Sequence, residues 1–330
     1  MGRRSRNCNG RKGFPPAIAG IRNVAGLQRL ASFSLQGDYE MAKLSRRGFL
    51  AGLSATAAAG MFGSGTVGAH PHKPQLKSGT DLVTLGRSGI KTSVLGIGTG
   101  TRGGSEQFGM GQAEFTKMVR YALERGVRYI DTADMYRTHI FVGLALKGVP
   151  RENYFLQTKT RAKHPEVAKA DIDRFRRELQ VDYIDSLLMH CMTQGSWPTD
   201  MRPVMDVLYE AKEKGRVRAV GVSCHGWDPL AASVDVDWCD VQLARINPFG
   251  MKMDGDPKDV SAALQKMHDA GRGIIGMKIY GETGYETREK RLESLRYVLN
   301  LKCVDCFTIG FSKIEQIDET LELIEEALAS

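Results

Sequence analysis

Gly126-Val127-Arg128-Tyr129-Ile130-Asp131-Thr132-Ala133-Asp134-Met135-Tyr136 decides how the chain is read. A helix-like run, Gln112 to Arg125, ends at Gly126. Val127 to Ile130 then reads as a short strand, followed at once by a carboxylate and, five residues later, by a phenol. A carboxylate directly after an apolar strand must be paired, hydrogen-bonded or at the mouth of a site. Asp131 therefore needs partners from elsewhere in the chain.

Outward from this unit the same alternation repeats. Leu82 to Leu85 with the turn Gly86-Arg87-Ser88-Gly89 predicts a small hairpin, and Val94 to Gly98 a first core strand. After the strand at 127–130 come strand patterns at 154–159, 184–190, 217–223, 241–243, 273–277 and 306–309, eight in all. Between them, apolar spacings of three and four predict helices over 166–179, 203–214, 260–270, 287–299 and 314–327. Eight βα units predict an α/β fold, a (β/α)8 TIM barrel of about 250 residues preceded by a short β-hairpin. An open doubly wound sheet is the alternative, but no Gly-rich dinucleotide fingerprint follows the first strand.

The 330 residues carry a net charge of +8, which suggests nucleic acid or an anionic membrane until its location is considered. Residues 1–69 hold ten Lys/Arg and two Asp/Glu, leaving 36 of each sign in the remainder. The body is thus electrically balanced and lacks a basic patch interleaved with aromatics, so no nucleic-acid partner is expected. Ser45-Arg46-Arg47-Gly48-Phe49-Leu50, the Ala/Gly-rich run through Phe62 and Val67-Gly68-Ala69 supply the charged, apolar and small-residue parts of an export signal. The paired arginines resemble a twin-arginine (Tat) signal. The expected organisation is a start-site extension or disordered leader over 1–40, a Tat-type signal peptide over 41–69, a linker over 70–81 and the barrel over 82–330. The Tat export machinery is then a partner and the periplasm the destination; cytoplasmic or organellar location is the alternative. No later apolar run approaches the roughly 20 residues needed to span a bilayer. Cys303-x-x-Cys306 could be a redox pair or half of a metal site, but nothing nearby completes a zinc site, and buried thiols are the plainer reading.

In a TIM barrel the chemistry lies where the strands end. There stand Asp131, Lys159 and His190, with Tyr136 in the loop after the second strand. Each alone has a dull explanation: a solvated lysine, a core histidine, a packing tyrosine. Together they bring a carboxylate, an ammonium, an imidazole and a phenol to one rim.

The chain resembles the aldo-keto reductase family in Asp131-Thr132-Ala133-x-x-Tyr136, Gln157-Thr158-Lys159, Leu188-Met189-His190, Gly221-Val222-Ser223 and Gly310 through Thr320. Ser223-Cys224-His225 and Gly276-Met277-Lys278 look like the branch with Ser-x-His after the fifth strand. The resemblance implies that Asp131, Tyr136, Lys159 and His190 form a catalytic tetrad without a metal, and that a nicotinamide supplies hydride to an aldehyde, ketone or keto-sugar while Tyr136 supplies the proton. A cationic lysine beside a tyrosine of ordinary pKa about 10 favours its phenolate, so Lys159 is expected to lower the Tyr136 value. The resemblance also implies that Ser223 and Gln242 meet the nicotinamide carboxamide with Asn247 nearby, and that Gly310, Ser312, Lys313, Gln316, Glu319 and Thr320 bind the nucleotide end. Gly310-Phe311-Ser312-Lys313 precedes a helix, so backbone N–H groups of this turn, together with Lys313, are expected to face a phosphate. This favours NADP, with NAD left open by Ser312 and Thr320, where many relatives carry a basic residue and Asn.

Arg137-Thr138-His139 departs from the family pattern. It reads first as a solvated helix start capped by Thr138, and second as positive charge at the substrate mouth for a phosphorylated or carboxylated compound. Trp197 either stacks on a sugar or covers the barrel rim. His225, Arg245, Asn247 and Lys278 are further pocket candidates. Two rival functions stand beside the reductase: a nucleotide-binding, redox-sensing module without turnover, and a Schiff-base aldolase using Lys159.

Overall fold

Eight parallel strands close on themselves in the computed structural model, which describes residues 75–282 and 287–330. The expected leader (1–40), the export signal (41–69) and residues 70–74 of the linker lie outside the described residues. In chain order the elements are β1 (Leu82–Leu85), β2 (Ile90–Ser93), β3 (Leu95–Gly98), α1 (Ser105–Gly109), α2 (Gly111–Glu124), β4 (Tyr129–Asp131), α3 (His139–Leu146), β5 (Phe155–Thr160), α4 (Pro165–Leu179) and β6 (Ile184–Met192). They continue with α5 (Trp197–Asp200), α6 (Arg202–Glu213), β7 (Val217–Cys224), α7 (Trp227–Ser233), β8 (Val241–Arg245), α8 (Pro257–Asp269), β9 (Gly273–Met277), α9 (Arg288–Asn300), β10 (Cys306–Gly310) and α10 (Glu315–Ala329). The barrel order is β10-β3-β4-β5-β6-β7-β8-β9, and β1 pairs with β2 as the expected hairpin.

Two apolar layers hold this together. Inside the barrel, Tyr129, Phe155, Leu188, Leu243 and Ile275 interlock, and Leu85 and Ile90 of the hairpin pack beneath them at the ends where the strands begin. Outside, each helix lays an apolar stripe on the strands: α2 buries Phe115, Met118, Val119 and Ala122, and α4 buries Ala168, Ile172, Phe175 and Leu179. These spacings of three, four and seven give one helical face, so burial rather than helix propensity fixes the helices. Among the described residues no helix is long and apolar enough to cross a membrane.

Four helices escape the sequence pattern, two of them, α1 and α5, being only five and four residues long. α3 is apolar nearly all round, so no amphipathic period marks it; Gly143 lets it pack where an added Cβ would lie 2.6 Å from the Glu178 carbonyl oxygen. α7 has seven residues with Pro229 among them, too short to show a period. The sixth strand also runs beyond His190 to Met192, with a register shift after Met189 and Cys191 in the left-handed region at φ 65°.

One glycine sets how closely neighbouring strands approach beneath the site. A Cβ at Gly221, in β7, would lie 2.0 Å from the Val241 carbonyl oxygen of β8. Gly221→Ala must force the strands apart and is expected to destabilise the barrel by about 2 kcal/mol or more, as overpacked cores do. A urea midpoint within experimental error of the parent would contradict this packing.

Candidate active site

Asp131 and Lys159 sit on adjacent strands at the ends where β4 and β5 stop, and both are buried, Lys159 completely. A lysine out of contact with water survives as a cation only with a counter-charge and hydrogen bonds. Both are present: Nζ donates to Asp131 Oδ1 at 2.6 Å and to the Thr132 carbonyl oxygen at 2.8 Å. Asp131 Oδ1 also accepts from Gln157 Nε2 at 2.9 Å, and Ser186 Oγ donates to Gln157 Oε1 at 3.0 Å. Burial pulls the Lys159 pKa down, and Asp131 opposes that pull.

Tyr136 ends the 3-10 turn Asp134–Tyr136 that follows β4. Arg174 of α4 holds this turn by donating to Asp134 Oδ1 at 2.7 Å, and Arg174 also bonds Asp171 and Glu178. Asp134, His139 and Glu178 lie close enough together to suggest a cation site, but that guanidinium bonds two of the three. The Tyr136 ring lies with its centroid 5.1 Å from Lys159 Nζ and meets His190 edge to face at 5.6 Å. A glycine loop after β3, absent from the sequence expectation, makes room: a Cβ at Gly100 would lie 2.5 Å from Tyr136 Cζ, and one at Gly104 2.6 Å from its Cα. Thr99-Gly100-Thr101-Arg102-Gly103-Gly104 was the signal available for it.

The electrostatics correct one expectation. Burial, then the Asp131 carboxylate, push the Tyr136 phenol above its ordinary range. Burial and Asp131 thus favour the protonated phenol over the phenolate. His190 is driven down to about 2 by burial and by the Lys159 charge, and its Nδ1 is buried without a partner among the described residues. His225, 6.5 Å away ring to ring, is driven down to about 4 by burial and by Arg245.

A cavity of about 330 Å3 runs from Asp131, Tyr136 and His190 past His225, Arg245 and Lys278 to Tyr280, Ile309 and Gly310. The other expected residues fall in several places. Gln242 is fully buried, and its Oε1 has no partner among the described residues. Ser223 Oγ accepts from the Cys191 amide at 2.9 Å and so anchors the irregular end of β6. Gly310 lines the cavity, where a Cβ would lie 2.0 Å from Thr101 Oγ1. The amides of Ser312 and Lys313, expected to face a phosphate, instead donate to Gln316 Oε1 at 2.9 and 3.1 Å. Glu319 pairs with Arg291 at 3.0 Å, and Thr320 meets the Tyr280 hydroxyl at 3.3 Å.

Two expectations are corrected outright, and of the two readings of Trp197 the covering role fits better. Trp197 does not line the cavity; it is buried in the wall, donating from Nε1 to the Pro229 carbonyl oxygen at 3.0 Å. Asn247 does not line it either: its side chain bonds Phe249, Met251 and Lys278 backbone groups and so shapes the loop after β8. Thr138 is no solvated cap, since its hydroxyl is buried between those of Thr99 and Thr132 at 2.9 Å each, and His139 is buried between Glu178 and Thr158. Cys303 and Cys306 are buried and form no disulfide.

Residues 94–294 match the profile of the Aldo/keto reductase family. The chain is 36% identical over 146 residues to glycerol 2-dehydrogenase (NADP(+)) of Saccharomyces cerevisiae, covering 40% of this chain and 43% of that one. It is 33% identical over 233 residues to glyoxal reductase of Bacillus subtilis, covering 62% and 83%. The chain thus spans less than half of the yeast relative and most of the bacterial one. An aldo-keto reductase structure from Bacillus halodurans superposes with a TM-score of 0.61 at 20% identity, covering 75% of this chain and 95% of that one, which supports the fold.

The depressed histidines carry a stability signature. Unfolded imidazoles bind a proton near pH 6.5, whereas folded His225 does so only at about 4. The associated stability is complete above pH 6.5 and is lost as pH falls toward 4. His225→Gln should flatten the fall of the urea midpoint across that window; an unchanged slope would contradict the assignment.

Proposed function

The chain belongs to the aldo/keto reductase family, and from that premise we propose that it is an NADP-dependent oxidoreductase acting on an aldehyde, ketone or keto-sugar, with Tyr136 as general acid. The observation that carries this reading is the placing of Tyr136 over the buried Lys159–Asp131 pair and beside His190 in one cavity. When bound, the nicotinamide supplies hydride. Tyr136 gives its proton to the substrate oxygen, and as the phenol loses it the Lys159 charge, 5.1 Å from the ring, stabilises the developing phenolate. Asp131 keeps Lys159 charged and oriented. His190, neutral at physiological pH, polarises the carbonyl as an N–H donor without competing as an acid.

Gln242 and Ser223 would meet the carboxamide, and Gly310, Ser312, Lys313, Gln316, Glu319 and Thr320 the nucleotide end. Gln316 must then swing off the Ser312 and Lys313 amides, freeing two donors at the start of α10 for a phosphate. Lys313 and the NADP(+) in the yeast relative's name favour NADP over NAD. The names of the relatives put small aldehydes and polyols first in a substrate panel. If the leader is an export signal of the Tat type, the protein reaches the periplasm already folded around its nucleotide. A Schiff base on Lys159 is disfavoured, because its amine is wholly buried and bonded to Asp131 and Thr132.

A panel of aldehydes, ketones and sugars followed by NADPH absorbance tests the activity, and Tyr136→Phe tests the acid. The variant should lose at least about 100-fold in kcat while NADPH binding is kept. Unchanged kcat would refute the role of Tyr136, and a wild type that binds nucleotide but reduces nothing would favour the binding-module alternative. Because Tyr136 is held protonated, carbonyl reduction should be flat from pH 6 to 9, whereas alcohol oxidation, which needs the phenolate, should rise with pH. Reduction that falls across this range would contradict the raised phenol.

A further inference from the structure

Resting on the reductase reading, we propose that Arg245 and Lys252 form an anion subsite at the pocket mouth, selecting carbonyl substrates that carry a carboxylate or phosphate. Arg245 ends β8, lines the cavity and has only 15% of its side chain exposed. Its Nε and Nη2 both donate to Asp254 Oδ1, and the same oxygen accepts the Gly226 amide at 2.8 Å. Asp254 is buried, so it fixes the guanidinium plane from behind. Nη1 keeps no partner among the described residues. A guanidinium held this way is pre-organised for a carboxylate or phosphate, since little side-chain freedom is left to lose on binding.

Lys252 lines the same cavity from the loop after β8. Its backbone is held at φ 57°, a left-handed conformation that costs a non-glycine residue on the order of 1 kcal/mol. Asn247 enforces the loop, accepting the Phe249 and Met251 amides and donating to the Met251 and Lys278 carbonyl oxygens. The lysine's position is therefore built rather than incidental.

The charge balance at the mouth points the same way. Lys159 is answered by Asp131, Arg245 by Asp254 and Lys278 by Glu282 at 3.0 Å, whereas Lys252 forms no ion pair among the described residues and shares the field of Glu282 with Lys278. Glu282 also accepts the Arg102 amide, so it is held by two donors. His225 adds no charge at physiological pH. Arg245 stands at the end of β8 near His225, and Lys252 follows in the loop after β8. Gly310, assigned to the nucleotide end, closes β10.

Two substrate pairs test the proposal: 4-carboxybenzaldehyde against its methyl ester, and glyceraldehyde 3-phosphate against glyceraldehyde. The wild type should prefer at least one anion by about tenfold in kcat/KM, and the pair concerned tells carboxylate from phosphate. Lys252→Ala should remove most of that preference through KM, with the neutral partner and the NADPH Kd within twofold. Arg245→Lys, which leaves Asp254 a cation, should do the same. A second readout is independent of turnover: binding of 4-(hydroxymethyl)benzoate and of its methyl ester to NADP+-saturated protein by calorimetry. Tighter binding of the acid, lost in Lys252→Ala, supports the subsite even if no aldehyde is reduced, an outcome that would sink the reductase reading instead. Equal binding of acid and ester with no anion preference in turnover, or variants that weaken NADPH rather than the anion, would overturn it.

Discussion

The buried ion pair between Lys159 and Asp131 is the constraint on which the rest of the site depends. An ammonium with no exposed surface is tolerable only because Asp131 and the Thr132 carbonyl accept from it, while the Gln157 amide donates to Asp131 and holds that carboxylate in place. Removing one partner of such a pair typically costs about 3 to 5 kcal/mol, because the other is left uncompensated in low dielectric. The pair ties β4 to β5 at the strand ends and sets a fixed charge beneath the phenol. Everything above it can then vary in shape while Tyr136 stays in place.

Backbone strain is concentrated around the same cavity. Arg102, Arg137, Cys191, Lys252, Lys278 and Glu282 are non-glycine residues in the left-handed region; Cys191 lies in the irregular end of β6 and the others in segments that follow β3, β4, β8 and β9. Left-handed conformations at functional sites persist where the surrounding structure over-determines them. Here the anchors are visible: Ser223 bonds the Cys191 amide, Asn247 closes the loop carrying Lys252, and Glu282 accepts from both Lys278 and the Arg102 amide. The barrel thus supplies rigid strand ends, and a few polar side chains convert irregular loops into fixed walls.

The barrel and the four central groups were legible because each leaves a local mark. Apolar strands ending in Asp131, Lys159 and His190 show in the order of residues alone, and the helices after them show through spacing. What escaped has physical reasons. Trp197 and Asn247 sit near strand ends like true pocket residues, and only their hydrogen bonds to Pro229 and to the loop backbone reveal structural work. Thr138 has the chemistry of a helix cap, but the fold buries its hydroxyl against two other threonines. The pKa of Tyr136 was misjudged because the sign depends on a balance of burial, Asp131 and Lys159 that no pattern encodes. Gln316, in turn, accepts from the Ser312 and Lys313 amides, an engagement visible only in three dimensions.

The claim that Asp131 and Lys159 act as one device beneath Tyr136 is tested most directly by a double-mutant cycle on kcat with Asp131→Asn, Lys159→Met and both together. Groups that act as a unit are strongly non-additive. Each single substitution should lower kcat by orders of magnitude, and the double variant should lose little more than the worse single one. Losses that multiply would show the two residues acting independently and would contradict the account.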